Sequence, residues 1–438
     1  MIYLRLYNMI LFVAAFFLVP YYVMKIVLTG KYRQSIGPKF GFIPRDTLEA
    51  MKGSPRIWIH AVSVGEVTAA APIVSSLREL FPSACIILST STETGQDMAR
   101  RMVSDATSYI YYPLDIPFVV RKVINLTAPD IFIPVETEIW PNFIRICSEK
   151  GLKIIMVNGR LSPRSFKRYS KTKFFWRNVL DSLDEMGMIS PVDAERITAL
   201  GVNASRVSIV GNAKYDSLAA RADDRLQHEM IDRLSIAPGS RVFVAGSTHD
   251  GEETVVLRVY KKLLEYYPDL ILIIIPRHIE RRGDVRSCAE GEGFSDCITM
   301  SEINSGKRHT SERVIIIDVI GELFKIYSLA TIVFCGGSLV PRGGQNILEP
   351  AAWSKVIFYG PSMEDFSNEK SLLEKAGAGI TVTGEEDLFK EIRNVMDDPE
   401  SLSERGEAGR RIVVSNMGAS RRYAKMISTW LGERAYGD

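Results

Sequence analysis

The sequence predicts an α/β protein of two Rossmann-like, doubly wound domains behind an N-terminal membrane-anchor helix. Three observations carry that reading. Short apolar runs alternate with longer stretches of helical pattern along most of the chain. That rhythm belongs to parallel strands buried on both faces, with helices between them. At 438 residues the chain exceeds one ordinary core, so two domains of roughly 200 residues each are expected. A polar, charged stretch from Ser217 to Ser240, holding Pro238-Gly239, breaks the rhythm midway. The expected division is an anchor over 1–30, a first domain over 31–220 and a second over 221–438.

Residues 6–24 are almost wholly apolar, with tyrosines at both ends, and Ile26-Val-Leu28 extends the run. That length can span a bilayer, although Pro20 and Lys25 interrupt it. Lys25, Lys31, Arg33 and Lys39 follow the run, against Arg5 before it. The positive-inside rule then leaves the rest of the chain in the cytoplasm. A helix lying in the membrane interface or packed on the domain is the other reading.

In the first domain, strands are expected over Ile57–Val62, Cys85–Leu88, Asp130–Val135 and Lys153–Val157, with helices such as Val67–Leu80 and Glu138–Lys150. Asp184–Ile209 continues with a short strand, a helix opening at Pro191 and another short strand. In the second, strands are expected over Arg241–Ala245, Leu270–Pro276, Arg313–Ile317, Thr331–Cys335, Val356–Tyr359 and Gly379–Val382. The last helical stretch, Ala419–Leu431, is free to cross back onto the first domain. In such sheets ligands bind at the carboxyl ends of the strands.

Composition narrows the function. A formal net charge of +2 does not suit a general nucleic-acid binder. The five cysteines are scattered without metal-ligand spacing, and the histidines form no HxxxH pair. No metal and no cofactor is expected, and Cys85, Cys147 and Cys335, in apolar contexts, read as core residues of a reducing compartment.

Polar turns follow the expected strands. Ser63-Val-Gly65-Glu66 sets a carboxylate near a helix start, where it can act as general base or merely complement the helix dipole. His60, before it, reads as a hydrogen-bonded core residue. Val135-Glu136-Thr-Glu138 lies at the same edge, with two carboxylates close enough to perturb each other. Ala245-Gly246-Ser247-Thr248 and Pro276-Arg277-His278 end strands of the second domain. Arg277 suits a phosphate or a surface ion pair. The stretch 334–353, FCGGSLVPRGGQNILEPAAW, brings four glycines to a strand-to-helix turn. Gly337 and Gly344 let backbone approach a ligand and leave amides free for an anion, helped by the helix dipole. Asn346 and Glu349 suit a ribose or form a capping box. Finally, 160–177 holds Arg160, Arg164, Lys167, Arg168, Lys171, Lys173 and Arg177 without an acidic residue, interleaved with five aromatics. Such a stretch suits an anionic lipid surface or is a solvated basic face.

These motifs also carry a resemblance. SVGE at 63–66, VETEIWPN at 135–142, NGRLS at 158–162, GN-K at 211–214, AGSTH at 245–249, PRH at 276–278 and GGSLVPRGGQNILEPAA at 336–352 resemble the 3-deoxy-D-manno-octulosonic acid (Kdo) transferases. The resemblance implies a GT-B fold and metal-free transfer of Kdo from CMP-Kdo to the lipid A precursor, at the cytoplasmic face of the inner membrane. It implies Glu66 as base and a CMP site lined by Ser247, Thr248, Arg277, His278, Gly337, Gly344, Asn346 and Glu349. Glu136, Glu138, Arg160, Arg164, Lys167, Arg168 and Lys214 are the expected acceptor contacts. Gln345 departs from the pattern, which usually has histidine there. The alternatives are a GT-B enzyme using a uridine sugar nucleotide and a two-lobed, membrane-anchored binding protein.

Overall fold

The structure is a computed structural model describing residues 4–13, 17, 33–237, 239–307 and 312–435. The chain forms two compact units, Met1–Ser217 with Met417–Asp438, and Leu218–Asn416.

The first unit carries a parallel sheet of seven strands: β1 (Arg56–His60), β2 (Cys85–Thr90), β3 (Ser108–Tyr111), β4 (Ile131–Pro134), β5 (Lys153–Gly159), β6 (Glu185–Met188) and β7 (Val207–Ile209). Their order is β3-β2-β1-β4-β5-β6-β7. Side chains alternate across the sheet, so each strand must feed two cores. Trp58 joins Phe132, Phe143 and Met156 on one face. Ile57 and Ile59 join Ile86, Ile133 and Ile155 on the other. Two buried faces explain why the central runs read as continuously apolar. The C-terminal helix Ala419–Ala435 completes the second of these cores through Tyr423, Ala424 and Ile427. Its Tyr423 hydroxyl donates to the carbonyls of Gly187 (3.2 Å) and Gly211 (2.9 Å).

The second unit repeats the plan: β8 (Val242–Thr248), β9 (Ile271–Pro276), β10 (Cys297–Thr299), β11 (Val314–Ile316), β12 (Ile332–Cys335), β13 (Val356–Tyr359) and β14 (Gly379–Thr381). The order is β10-β11-β9-β8-β12-β13-β14, all parallel. In both sheets the first strand of the unit is flanked on each side, β1 by β2 and β4, β8 by β9 and β12. Chain direction across the sheet reverses there, which opens a crevice above the strand ends.

The pattern did not reveal β3 and β10. Both are edge strands, and β3 alternates buried with half-buried residues over only four positions. The helix expected from Glu138 begins instead at Pro141, whose fixed φ suits a first helical position. Among the described residues no helix is long and apolar enough to cross a membrane. The apolar run expected to anchor the chain falls largely on 14–16 and 18–32, outside the described residues.

Candidate functional site

In the first unit the chemistry gathers above β1 and β4. Ser63 caps the helix Val64–Leu80: its Oγ accepts from the Glu66 amide (3.3 Å) and donates to Glu66 Oε1 (3.0 Å). Glu66 Oε2 accepts from the Val62 amide (2.7 Å). These bonds fix the carboxyl at the helix start, with 7% of the residue exposed. Each carboxylate oxygen has a second lone pair, so one on each remains for a substrate proton. Burial pushes the Glu66 carboxyl up to about 7, and the charges of Glu136 and Glu138 add to that rise. The Val62 amide and Ser63 hydroxyl oppose it. A carboxylate near neutrality is what general base catalysis requires.

Glu136 follows β4 in the left-handed region (φ 59°) and pairs with Lys214 Nζ at 2.8 Å. A Cβ added at Gly65 would lie 3.9 Å from that ammonium, so Lys214 reaches the start of the Glu66 helix. Glu66, Glu136 and Lys214 therefore form one cluster, from segments far apart in sequence. Glu138 sits beside it, its carboxyl raised chiefly by burial. His60 is buried with Nδ1 3.0 Å from Ser89 Oγ, and burial pushes its imidazole down to about 3, so it is neutral.

Arg160, Arg164, Lys167 and Arg168 lead away from this cluster. The Arg160 carbonyl accepts from Thr137 Oγ1 at 2.9 Å, tying the basic stretch to the Glu136–Glu138 turn. Helices Pro163–Lys171 and Lys173–Leu180 follow. Arg164, Lys167, Arg168 and Lys171 are exposed and, among the described residues, pair with no carboxylate. The five aromatics do not all share that surface. Phe166, Tyr169, Phe175 and Trp176 pack toward the core, and Phe174 alone is well exposed (68%). Amphipathic spacing turns the rings inward and leaves the cations in water.

In the second unit the loop after β12 differs from expectation. Its amides do not await an anion, because a buried carboxylate already holds them. Glu252, fully buried, accepts from the amides of His249 (2.9 Å), Gly337 (2.7 Å), Ser338 (3.0 Å) and Leu339 (3.0 Å). Gly344 donates to the Gly337 carbonyl (2.9 Å) and Gly343 to Ser362 Oγ (3.0 Å). The glycines serve close packing. A Cβ at Gly336 would lie 2.6 Å from the Ser247 carbonyl oxygen, and Gly337 needs a φ of 67°. The helix after the loop, Leu348–Ala352, is too short to lend much dipole.

What this loop does offer is side chains. Asn346 Nδ2 donates to Glu349 Oε1 at 3.1 Å, and Asn346 Oδ1 accepts from the Leu348 amide at 3.2 Å. The pair is joined, yet it is no capping box, since the helix begins after Ile347 without a side-chain cap. Burial raises the Glu349 carboxyl, opposed by the charge of Arg221, the Asn346 bond and the charge of Arg277. Burial pushes the His249 imidazole down, Glu252 opposes that, and the charges of Arg342, His278 and Arg277 add to the fall, so Arg277 acts on both groups. The His249 and His278 rings stand 5.9 Å apart, edge to face. His249 Nε2 and Thr248 Oγ1 are buried without a hydrogen-bond partner, and Ser247 is held at a φ of 55°. Gln345 Nε2 and His249 Cδ2 lie 3.2 and 3.3 Å from the position a Cβ would take at Gly337. An imidazole thus stands beside Gln345 although position 345 carries none. Sequence reasoning missed His249, Glu252, Arg221 and Arg342. The AGSTH motif held the only signal for His249.

This geometry gives Glu349 a testable role. Glu349→Ala is expected to weaken CMP binding by roughly 1.5–3 kcal/mol, the range for hydrogen bonds to charged groups. A purely structural acid would instead lower thermal stability and leave CMP titration unchanged.

Three comparisons with known proteins bear on the family and the fold. Residues 34–217 match the family model for 3-deoxy-D-manno-octulosonic-acid transferase (kdotransferase). A 3-deoxy-D-manno-octulosonic acid transferase of Haemophilus influenzae is 31% identical over 92% of this chain and 93% of its own. Its counterpart in Chlamydophila psittaci is 28% identical over 90% of this chain and 89% of its own. Among solved structures, the UDP-GlcNAc 2-epimerase of Neisseria meningitidis covers 86% of this chain and all of its own at a TM-score of 0.60 and 12% identity. A glycosyltransferase of Rickettsia africae covers 87% of this chain and 99% of its own at 0.56 and 13%. Those likenesses speak for the fold, two Rossmann-like domains of the GT-B type. Identity above 30% along nearly the whole of both chains goes further: this protein belongs to the 3-deoxy-D-manno-octulosonic acid (Kdo) transferase family.

Proposed function

We propose that this chain transfers Kdo from CMP-Kdo to the lipid A precursor, lipid IVA, in a single inverting displacement. The observation that carries the reading is Glu66, a buried carboxyl near neutrality beside Glu136 and Lys214 in a Kdo transferase family member. Glu66 takes the proton from a sugar hydroxyl of the acceptor as that oxygen attacks the anomeric carbon of Kdo. The bond from that carbon to the phosphate oxygen breaks, and CMP leaves with the electron pair. One displacement inverts the anomeric centre.

In the second unit, Asn346 and Glu349 receive the ribose hydroxyls. Arg277, with His249 and His278 near it, offsets charge on the departing phosphate. Because Glu252 holds the glycine-loop amides, that task falls to side chains rather than to the loop backbone. The exposed cations of 164–171 face the acceptor phosphates and the anionic inner-membrane surface, each worth about 1 kcal/mol at a membrane.

The test is product analysis. Incubation with CMP-Kdo and lipid IVA is expected to give lipid carrying Kdo by mass spectrometry, with CMP binding far tighter than UDP. Transfer from a uridine sugar nucleotide instead, or ligand binding without turnover, rejects the reading.

A further inference from the structure

The first unit carries an open, cavity-like groove of about 800 Å3 that the transfer chemistry leaves unexplained. One wall is the N-terminal helix over residues 4–13, the others the turn after β4 and the two basic helices. Its walls are apolar, built by Leu6, Ile10, Ile139, Trp140, Phe175 and Trp176. The N-terminal wall is held by polar bonds rather than by filling the space. Tyr7 donates to Asp115 Oδ2 (2.8 Å), and Asn142 Nδ2 donates to Asn8 Oδ1 (2.6 Å). Asp115 also accepts from the Asn142 and Phe143 amides (3.0 and 2.8 Å). This arrangement fixes the helix while leaving Leu6 and Ile10 more than half exposed. An apolar groove of this volume is in the range of ligand pockets.

Two charged groups among the lining residues indicate what occupies it. Arg168, unpaired with any carboxylate among the described residues, is exposed beside Lys167 and Lys171. Glu138 belongs to the same lining, and its charge acts on Glu66 in the carboxylate cluster. An occupant therefore has an aliphatic tail, an anionic head near the cations, and a head group reaching toward Glu66.

We propose that this cavity takes an acyl chain of the acceptor glycolipid and so delivers its sugar to Glu66. The proposal rests on the acceptor reading given above and adds a tail-binding site to it. A bulk membrane lipid satisfies the tail and the anion but has no sugar to offer at the carboxylates. The N-terminal helix, which falls within the stretch expected to anchor the chain, is then part of the acceptor site.

Full-length protein is titrated with dodecyl phosphate below its micelle concentration, then with the same chain brominated. One-to-one binding is expected, with bromine quenching Trp140 and Trp176, and inorganic phosphate giving no quenching. Ile10→Asp places a charge in the cavity, and Thr172→Phe fills it. Each is expected to weaken alkyl phosphate binding at least about tenfold while CMP binding stays unchanged. Each also lowers kcat/KM for acylated acceptor towards that for its deacylated head group, which the parent uses poorly. Binding that survives both substitutions, or equal use of acylated and deacylated acceptor by the parent, overturns the proposal. Saturable alkyl phosphate binding lost in both variants, without any Kdo transfer, upholds the tail site and rejects the transfer reading instead.

Discussion

Glu66→Gln lowers turnover at least about a hundredfold, the usual scale for losing a general base. The carboxamide keeps the shape and can still accept from the Val62 amide or the Ser63 hydroxyl, so the helix start survives. CMP affinity is expected to stay unaltered, since the residues proposed to hold the donor belong to the other unit. The same residue links stability to pH. Its folded value of about 7 stands above the ordinary 4.5, so the folded chain keeps a proton that the unfolded chain has lost. That contribution is fully present below about 4.5 and is lost as pH rises through about 7. Glu66→Gln is expected to flatten that part of the stability profile, which denaturant melts across pH measure directly.

The second large effect belongs to Glu252. Its carboxylate accepts four amides and is fully buried. Glu252→Gln turns an NH2 group towards amides that are themselves donors. Two donors left unsatisfied cost roughly 2–6 kcal/mol together. Unfolding midpoints should fall accordingly, and CMP affinity should fall with them, because His249 and the loop before Asn346 share this clamp. A variant that melts and binds CMP like the parent contradicts the clamp.

The sequence revealed the parts whose physics is local. Central strands such as β1, β4, β8 and β12 are buried on both faces, so their apolar runs announce themselves. Edge strands β3 and β10 are short, and one is half wet, so they left no such mark. The strand-end turns were visible because the residues that form turns are a few types. What those turns contain was not visible. Whether amides at 337–339 are free depends on Glu252, some 85 positions away in sequence. The pairing of Glu136 with Lys214 likewise joins residues 78 positions apart. The direction taken by the aromatics of 160–177 was hidden for a related reason. Spacing places them on helices but does not say which side of each helix meets a core.

The central claim is that a buried carboxyl with a value near 7 performs the base step of Kdo transfer. The pH dependence of kcat/KM for transfer, with acceptor as the varied substrate, tests it most directly. The expected profile rises with pH, bends near 7 and levels above it, because only the ionised Glu66 accepts the proton. Glu66→Gln should retain a low rate without that bend. A parent profile already level from pH 5 upward, or a bend that survives in Glu66→Gln, contradicts the account.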